Sequence, residues 1–185
     1  MKTYLIILLF GIGTTSLAQI TQIPDPNFEQ ALIDLGIDSD GTVNGQVLTS
    51  DINTVQELDV RYRNINNLTG IDDFTALEDL NVKGNNLNNL DTSGNIQLRS
   101  LICNTNPLNT INLSSNVFLE NLEIQGLHQI DLIDLSNNIN LQTLNMVDCW
   151  IDNIDISNNL NLKTFIAGGV SFSEIDLSNN PLCVL

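Results

Sequence analysis

The chain has 185 residues, with 22 acidic side chains, six basic ones and a single histidine, for a net charge of −16. That length suits one domain, and so acidic a surface repels phosphate backbones, which argues against a nucleic-acid partner and for cations or basic partners. Three cysteines are an odd count and cannot form a complete disulfide framework.

Residues 1–18 read as a signal peptide. Lys2 makes the start positive, residues 5–12 form a short apolar run, and Ser16 and Ala18 are the small residues a signal peptidase requires. A membrane-spanning helix takes roughly 20 apolar residues, so this run is too short to cross a bilayer. The mature chain is therefore expected to begin at Gln19, without a membrane span, and to be secreted or held at the outer cell surface. No cysteine follows Ala18, which argues against a lipid anchor, and residues 14–22 are polar and without periodicity. Residues 19–54 are expected to form an N-terminal helical cap. Asp25 can cap a helix with Pro26 in its first turn, and Phe28, Ala31, Leu32 and Leu35 make its apolar face before a stop at Gly36. With residues 48–52, this helix should cover the open core of the segment beyond it.

That segment, from residue 55 onward, is repetitive. IDLSNN occurs at 133–138 and again at 175–180, with IDISNN at 154–159, INLSSN at 111–116 and LDTSGN at 90–95, a spacing of 21 or 22 residues. Between them, leucine-framed segments begin at Val55, Leu77, Leu98, Leu119, Leu141 and Leu162, with a seventh expected from Leu182. In ELDVR, Leu58 and Val60 alternate with Glu57, Asp59 and Arg61, the period of a half-buried strand. One such strand cannot bury its face alone; parallel stacking, one strand per coil, gives a continuous core. Strands are expected near 57–61, 79–83, 100–104, 121–125, 143–147 and 164–168. Within each IDLSNN copy the aliphatics should enter that core from the convex side, while the asparagine three residues before the next leucine (Asn95, Asn116, Asn138, Asn159 and Asn179) makes the turn. A second asparagine column, at the ninth residue, keeps Asn85 and Asn106 but has Arg63, Leu127, Cys149 and Val170 elsewhere. One extra residue near 127–130 predicts a bulge. Cys103 replaces a core aliphatic, and Cys149 and Cys183 lie in different columns.

These segments resemble the leucine-rich repeat, L-x-x-L-x-L-x-x-N-x-L, over residues 55–185, and are most similar to secreted internalin-like proteins of the Bacteroidetes type. The resemblance implies a leucine-rich-repeat solenoid, a right-handed β-rich coil or horseshoe. It would have a parallel concave sheet, short convex strands or turns, and an N-terminal helical cap. It implies adhesion or recognition of a protein or glycan ligand at a cell surface, with no catalysis and no cofactor. The rival reading is a non-catalytic structural or targeting module of a larger secreted enzyme or sorted surface protein, continuing beyond Leu185. That residue is expected to fall inside an unpaired strand.

Candidate binding residues can be placed on that frame. Glu57, Asp59, Arg61, Tyr62, Asp79 and Lys83 form a mixed-charge patch on the concave sheet, and Ile102, Val147 and Ile166 are apolar residues expected to face outward there. Trp150, the only tryptophan, should stand on the loop after its strand with His128 one coil earlier and Pro107 beyond, either as a recognition edge for protein or sugar or folded back over the neighbouring loop. A lone histidine leaves no paired imidazoles for a catalytic metal or relay. Asp38 and Asp40, with Gly41, have the spacing of a calcium loop, but Gly36 and Val47 stand where its first and twelfth ligands belong, which favours a plain turn. Asp91, Asp134, Asp155 and Asp176 form a convex column broken by Asn112, either splayed into water or bridged by a cation.

Overall fold

The computed structural model describes residues 18–172 and 174–183. The expected leader, apart from Ala18, and Leu185 lie outside the described residues. The cap opens with β1 (Ile20–Gln22), paired antiparallel with β2 (Gln46–Leu48) so that Ile20 faces Leu48. Residues 14–22 are thus not featureless throughout. The inward residue of β1 is Thr21, whose hydroxyl is buried and bonds Thr49 Oγ1 and Asp73, so a polar side chain hides the strand's period. Helix α1 (Pro26–Asp34) starts at Asp25, whose Oδ1 accepts the N–H of Asn27 and Phe28. Its Oδ2 accepts the N–H of Asn66 and Asn67, at 2.8 and 3.0 Å, tying the helix start to the first coil. Leu35 does not join the buried face: it lies past the last helical residue, 45% exposed, where Gly36 turns the chain at φ +69°. Glu29 is buried in its place, because its carboxylate receives the N–H groups of Asn44, Gly45 and Gln46. A short helix, α2 (Thr49–Ile52), places Ile52 in the core, and Phe28 stacks on Phe74 of the first coil at 6.2 Å.

From there the chain coils. Six strands form one parallel sheet: β3 (Glu57–Asp59), β4 (Asp79–Asn81), β6 (Ser100–Ile102), β8 (Asn121–Glu123), β9 (Thr143–Asn145) and β10 (Thr164–Ile166). Leu58, Leu80, Leu101, Leu122, Leu144 and Phe165 stand in register as neighbouring rungs, each at most 2% exposed. Burying a side chain of this size is worth about 1.5–3 kcal/mol, and only the neighbouring coils provide the burial. The hydrogen-bond ladder runs beyond the strands, through Val60 N to Asn81 O and Tyr62 N to Lys83 O, both 2.9 Å, and likewise in later coils. On the convex side, β5 (Asn89–Asp91) and β7 (Thr110–Asn112) pair in parallel. No further convex strand occurs among the described residues. The break coincides with the extra residue of the fourth coil, where Leu132 is pushed out to 73% exposure.

Two asparagine columns hold the turns. Asn95, Asn116, Asn138, Asn159 and Asn180 are all buried, and each Nδ2 donates to two main-chain carbonyls of the preceding coil; Asn138, for example, bonds Leu113 O and Asn116 O at 3.0 and 2.9 Å. The last member is Asn180, not Asn179. Asn180 holds the ladder bonds and Cys183 N closes on Asn180 O, while Leu182 is 59% exposed, so the seventh repeat starts at Cys183. In the ninth-residue column Asn85 and Asn106 bond carbonyls in the same way, and the Cys149 thiol donates to Ile124 O where an amide would.

Candidate binding surface

The outward side chains of the sheet are presented by elements fixed at both faces. On the first three coils, Glu57, Asp59, Asp79, Asn81, Ser100 and Ile102 line a shallow concavity of about 190 Å³. Asp59 holds Arg61 at 3.0 Å and also receives the amide of Asn81. Arg61 and Lys83 lie just past the strands, side by side on the edge, and the Lys83 ammonium has no partner among the described residues. Tyr62 leaves the concave face altogether. Its backbone is left-handed (φ +56°), its side chain is 62% exposed, and its ring covers Gly84, where a Cβ would collide with it. Farther along, Ile102 and Val147 are half-buried, and Ile166 is 43% exposed.

Three coils beyond Lys83, roughly 15 Å at strand spacing, the same edge carries the second group. His128 and Trp150 stack, with ring centroids 5.1 Å apart and planes 24° from parallel; both are exposed, Trp150 at 61%. The expected neighbours therefore meet, but on later coils than the Arg61–Lys83 group.

The edge preceding the strands was not legible as a surface. There Glu78, Arg99, Glu120, Gln142 and Lys163, one per coil, join in a side-chain ladder, Arg99 bridging Glu78 at 3.2 Å and Glu120 at 2.8 Å, and Lys163 reaching Gln142 at 2.7 Å. Beside it runs a row of exposed apolar residues, Ile96, Val117, Phe118, Ile139 and Leu160, with Arg99 stacked over Phe118 at 5.9 Å. The signal was present in the sequence: the polar row, and Ile96, Val117, Ile139 and Leu160 of the apolar one, keep the 21- or 22-residue interval.

The convex acidic column is architectural. Oδ1 of Asp91, Asp134, Asp155 and Asp176 accepts the N–H of the serine two residues on, at 2.8 to 3.0 Å, and Asn112 does the same with Ser114. Hydrogen bonds from Ser136 and Ser157, through hydroxyl and backbone, hold the Asp134 and Asp155 carboxyls below the usual range, and Ser178 does so for Asp176, its backbone first. In the cap loop Asp38 accepts from Asp40 N, and Asp40 accepts from Thr42 N and the Asn44 amide. Burial and the nearby carboxylates of Asp40, Glu29 and Asp51 push the Asp38 carboxyl upward. Among the described residues no three histidine, cysteine or acidic side chains converge to hold a metal ion. Cys103 and Cys149 are buried thiols outside any disulfide, and burial pushes Cys103 up to about 12.

No protein-family model and no curated protein sequence matches the chain. Solved structures do. The functional domain of InlJ from Listeria monocytogenes, whose description includes a cysteine ladder, superposes with a TM-score of 0.68 at 23% identity, over 92% of this chain and 43% of that one. The internalin InlF of the same species gives 0.64 at 19% identity, over 87% and 55%, and internalin C2 gives 0.63 at 21%, over 92% and 88%. A leucine-rich-repeat protein of Leptospira interrogans gives 0.63 at 16% identity. The chain thus spans about half the length of the first two. The fold is a leucine-rich-repeat solenoid with a helical and hairpin cap.

Proposed function

We propose that this is a non-catalytic, secreted or cell-surface recognition domain that binds a protein partner across its concave sheet and the edge that follows the strands. The observation that carries the reading is the division of labour among side chains. Inward residues and both asparagine columns are committed to core and turns, whereas Lys83, Ile102 and Val147 are held in fixed register on the outside, and Arg61 and Trp150, though paired with Asp59 and His128, keep exposed faces. Exposed aromatic and arginine side chains on a rigid scaffold are the residue types that dominate protein interfaces. The charged and apolar start of the chain, residues 1–18, supports secretion, and the internalin structures support an internalin-like use of the fold.

The test is selection of binding peptides from a displayed random library on the purified chain. Peptides selected on the native protein should lose binding to a variant carrying Arg61→Ala, Ile102→Ser, Val147→Ser and Trp150→Ala, with circular dichroism unchanged. Peptides that bind that variant as well as the native protein would place recognition elsewhere.

A further inference from the structure

The edge following the strands holds one feature that neither folding nor the concave sheet uses. Successive coils place Pro107, His128, Trp150 and Ser171 at equivalent positions, and the two aromatic rings occupy consecutive rungs 5.1 Å apart. His128 covers one face of the indole. On the other side the equivalent position of the next coil is the small, exposed Ser171, and space is open at Gly168. The indole face turned away from His128 therefore points toward the sixth coil, which has no ring at the equivalent position.

Asp148 reaches toward the same coil. It holds a left-handed backbone (φ +56°) and its carboxylate leans over Gly169, where a Cβ would collide with Oδ1. That carboxylate has no hydrogen bond or ion pair among the described residues, and neither have the exposed carboxylates of Asp131 and Asp152 on coils four and five. The only glycine pair on this edge, Gly168–Gly169, is therefore what makes room for that carboxylate.

We propose that Trp150 and Asp148 form a subsite for an arginine side chain of the protein partner, its guanidinium stacked on the free indole face and its N–H groups donating to the Asp148 carboxylate. The proposal rests on the recognition reading above and names the chemistry of one anchor within it. A guanidinium is planar, weakly hydrated and able to stack and to pair with a carboxylate at once, whereas a lysine ammonium does only the second. A neutral pyranose could use the indole but would leave three unpaired carboxylates, and the field of a chain at −16, without a counter-charge. The molecule already uses the same stacking on its opposite edge, where Arg99 lies over Phe118.

Trp150 is the only tryptophan, so its fluorescence reports this site alone. Hexa-arginine, hexa-lysine and cellohexaose should be titrated against the purified chain at physiological salt. Hexa-arginine should quench saturably, and about fivefold or more tighter than hexa-lysine. Asp148→Asn should weaken the hexa-arginine effect about fivefold; asparagine tolerates the left-handed backbone, so the fold is kept. Asp134→Asn, which removes the same charge from the convex face, should change it by less than about twofold. Ser171→Phe, filling the vacant rung, should abolish the quench. Equal effects of Asp148→Asn and Asp134→Asn, equal binding of both peptides, or quenching by cellohexaose instead would overturn the proposal. Library-selected peptides that still need Arg61 and Ile102 but bind Asp148→Asn normally would leave the proposed function standing without this anchor.

Discussion

Thr105 carries a backbone conformation that β-branched residues rarely adopt, φ +56°. It belongs to a column in which every coil makes the same left-handed turn: Tyr62, Gly84, Thr105, Gly126, Asp148 and Gly169. Glycine alternates with a side chain that lies over the next coil's glycine, closely at Tyr62–Gly84 and Asp148–Gly169 and at ordinary contact, 3.9 Å, for Thr105–Gly126. Tyr62 and Asp148 therefore have a use for their strain, and Thr105 has little. Left-handed backbone costs a non-glycine residue about 1–2 kcal/mol, offset in part by the greater unfolded-state freedom of glycine. Thr105→Gly should stabilise the protein by about 0.5–1 kcal/mol in urea unfolding; a loss of stability would mean that the Thr105 contact with Gly126 outweighs the strain. None of these turns was legible from sequence, because tyrosine, threonine and aspartate at such a position look like ordinary loop residues.

At the scale of the element, the asparagine ladder decides how firmly one coil is joined to the next. Asn138 satisfies two buried carbonyls of the preceding coil that no water reaches from outside. Asn138→Ala removes one of two donors from each, since Asn116 N and Leu119 N still reach Leu113 O and Asn116 O, and each lost bond costs about 0.5–1.5 kcal/mol. The variant should lose about 2 kcal/mol and, since neighbouring coils stabilise one another only by contact, should also unfold over a broader range of urea. A loss below about 1 kcal/mol would show that the coils are held by their leucines alone. The leucine frame and the convex aliphatics were plain in the sequence because burial imposes them at every turn. The last rung was not: Asn179 and Asn180 are adjacent, and Leu182 imitates a core leucine while the smaller Cys183 takes that place. The cap hairpin was hidden for a related reason, its inward Thr21 being polar yet paired. The His128–Trp150 pair was legible because the repeat interval alone brings those residues to adjacent coils. Its separation from Arg61 and Lys83 was not, since a one-dimensional frame does not show where the sheet ends and the edge begins.

For the whole molecule, the convex aspartates make stability depend on acid in a definite direction. Asp134, Asp155 and Asp176 have carboxyls held below the ordinary range by the serine two residues on. A carboxyl lowered in the folded state binds protons more readily when unfolded. Its contribution is thus complete above the unfolded value, about 4, and disappears as pH falls through the folded one. Net repulsion works the other way, since protonation relieves a chain of charge −16. The two effects separate in a variant that keeps the turns and removes the titration. Asn112 shows the way, making the same turn with Ser114 N at 3.1 Å without a charge. In a triple variant with asparagine at 134, 155 and 176, the serine N–H groups keep an acceptor at every pH. Its melting temperature should therefore fall less than that of the native protein between about pH 4 and pH 2.5. At pH 7 it should be lower, because the serine hydrogen bonds to the charged carboxylates outweigh the repulsion from Asp155 and are weaker to a neutral amide. If the acid limbs coincide, the aspartates are interchangeable turn formers whose ionisation is irrelevant to the fold.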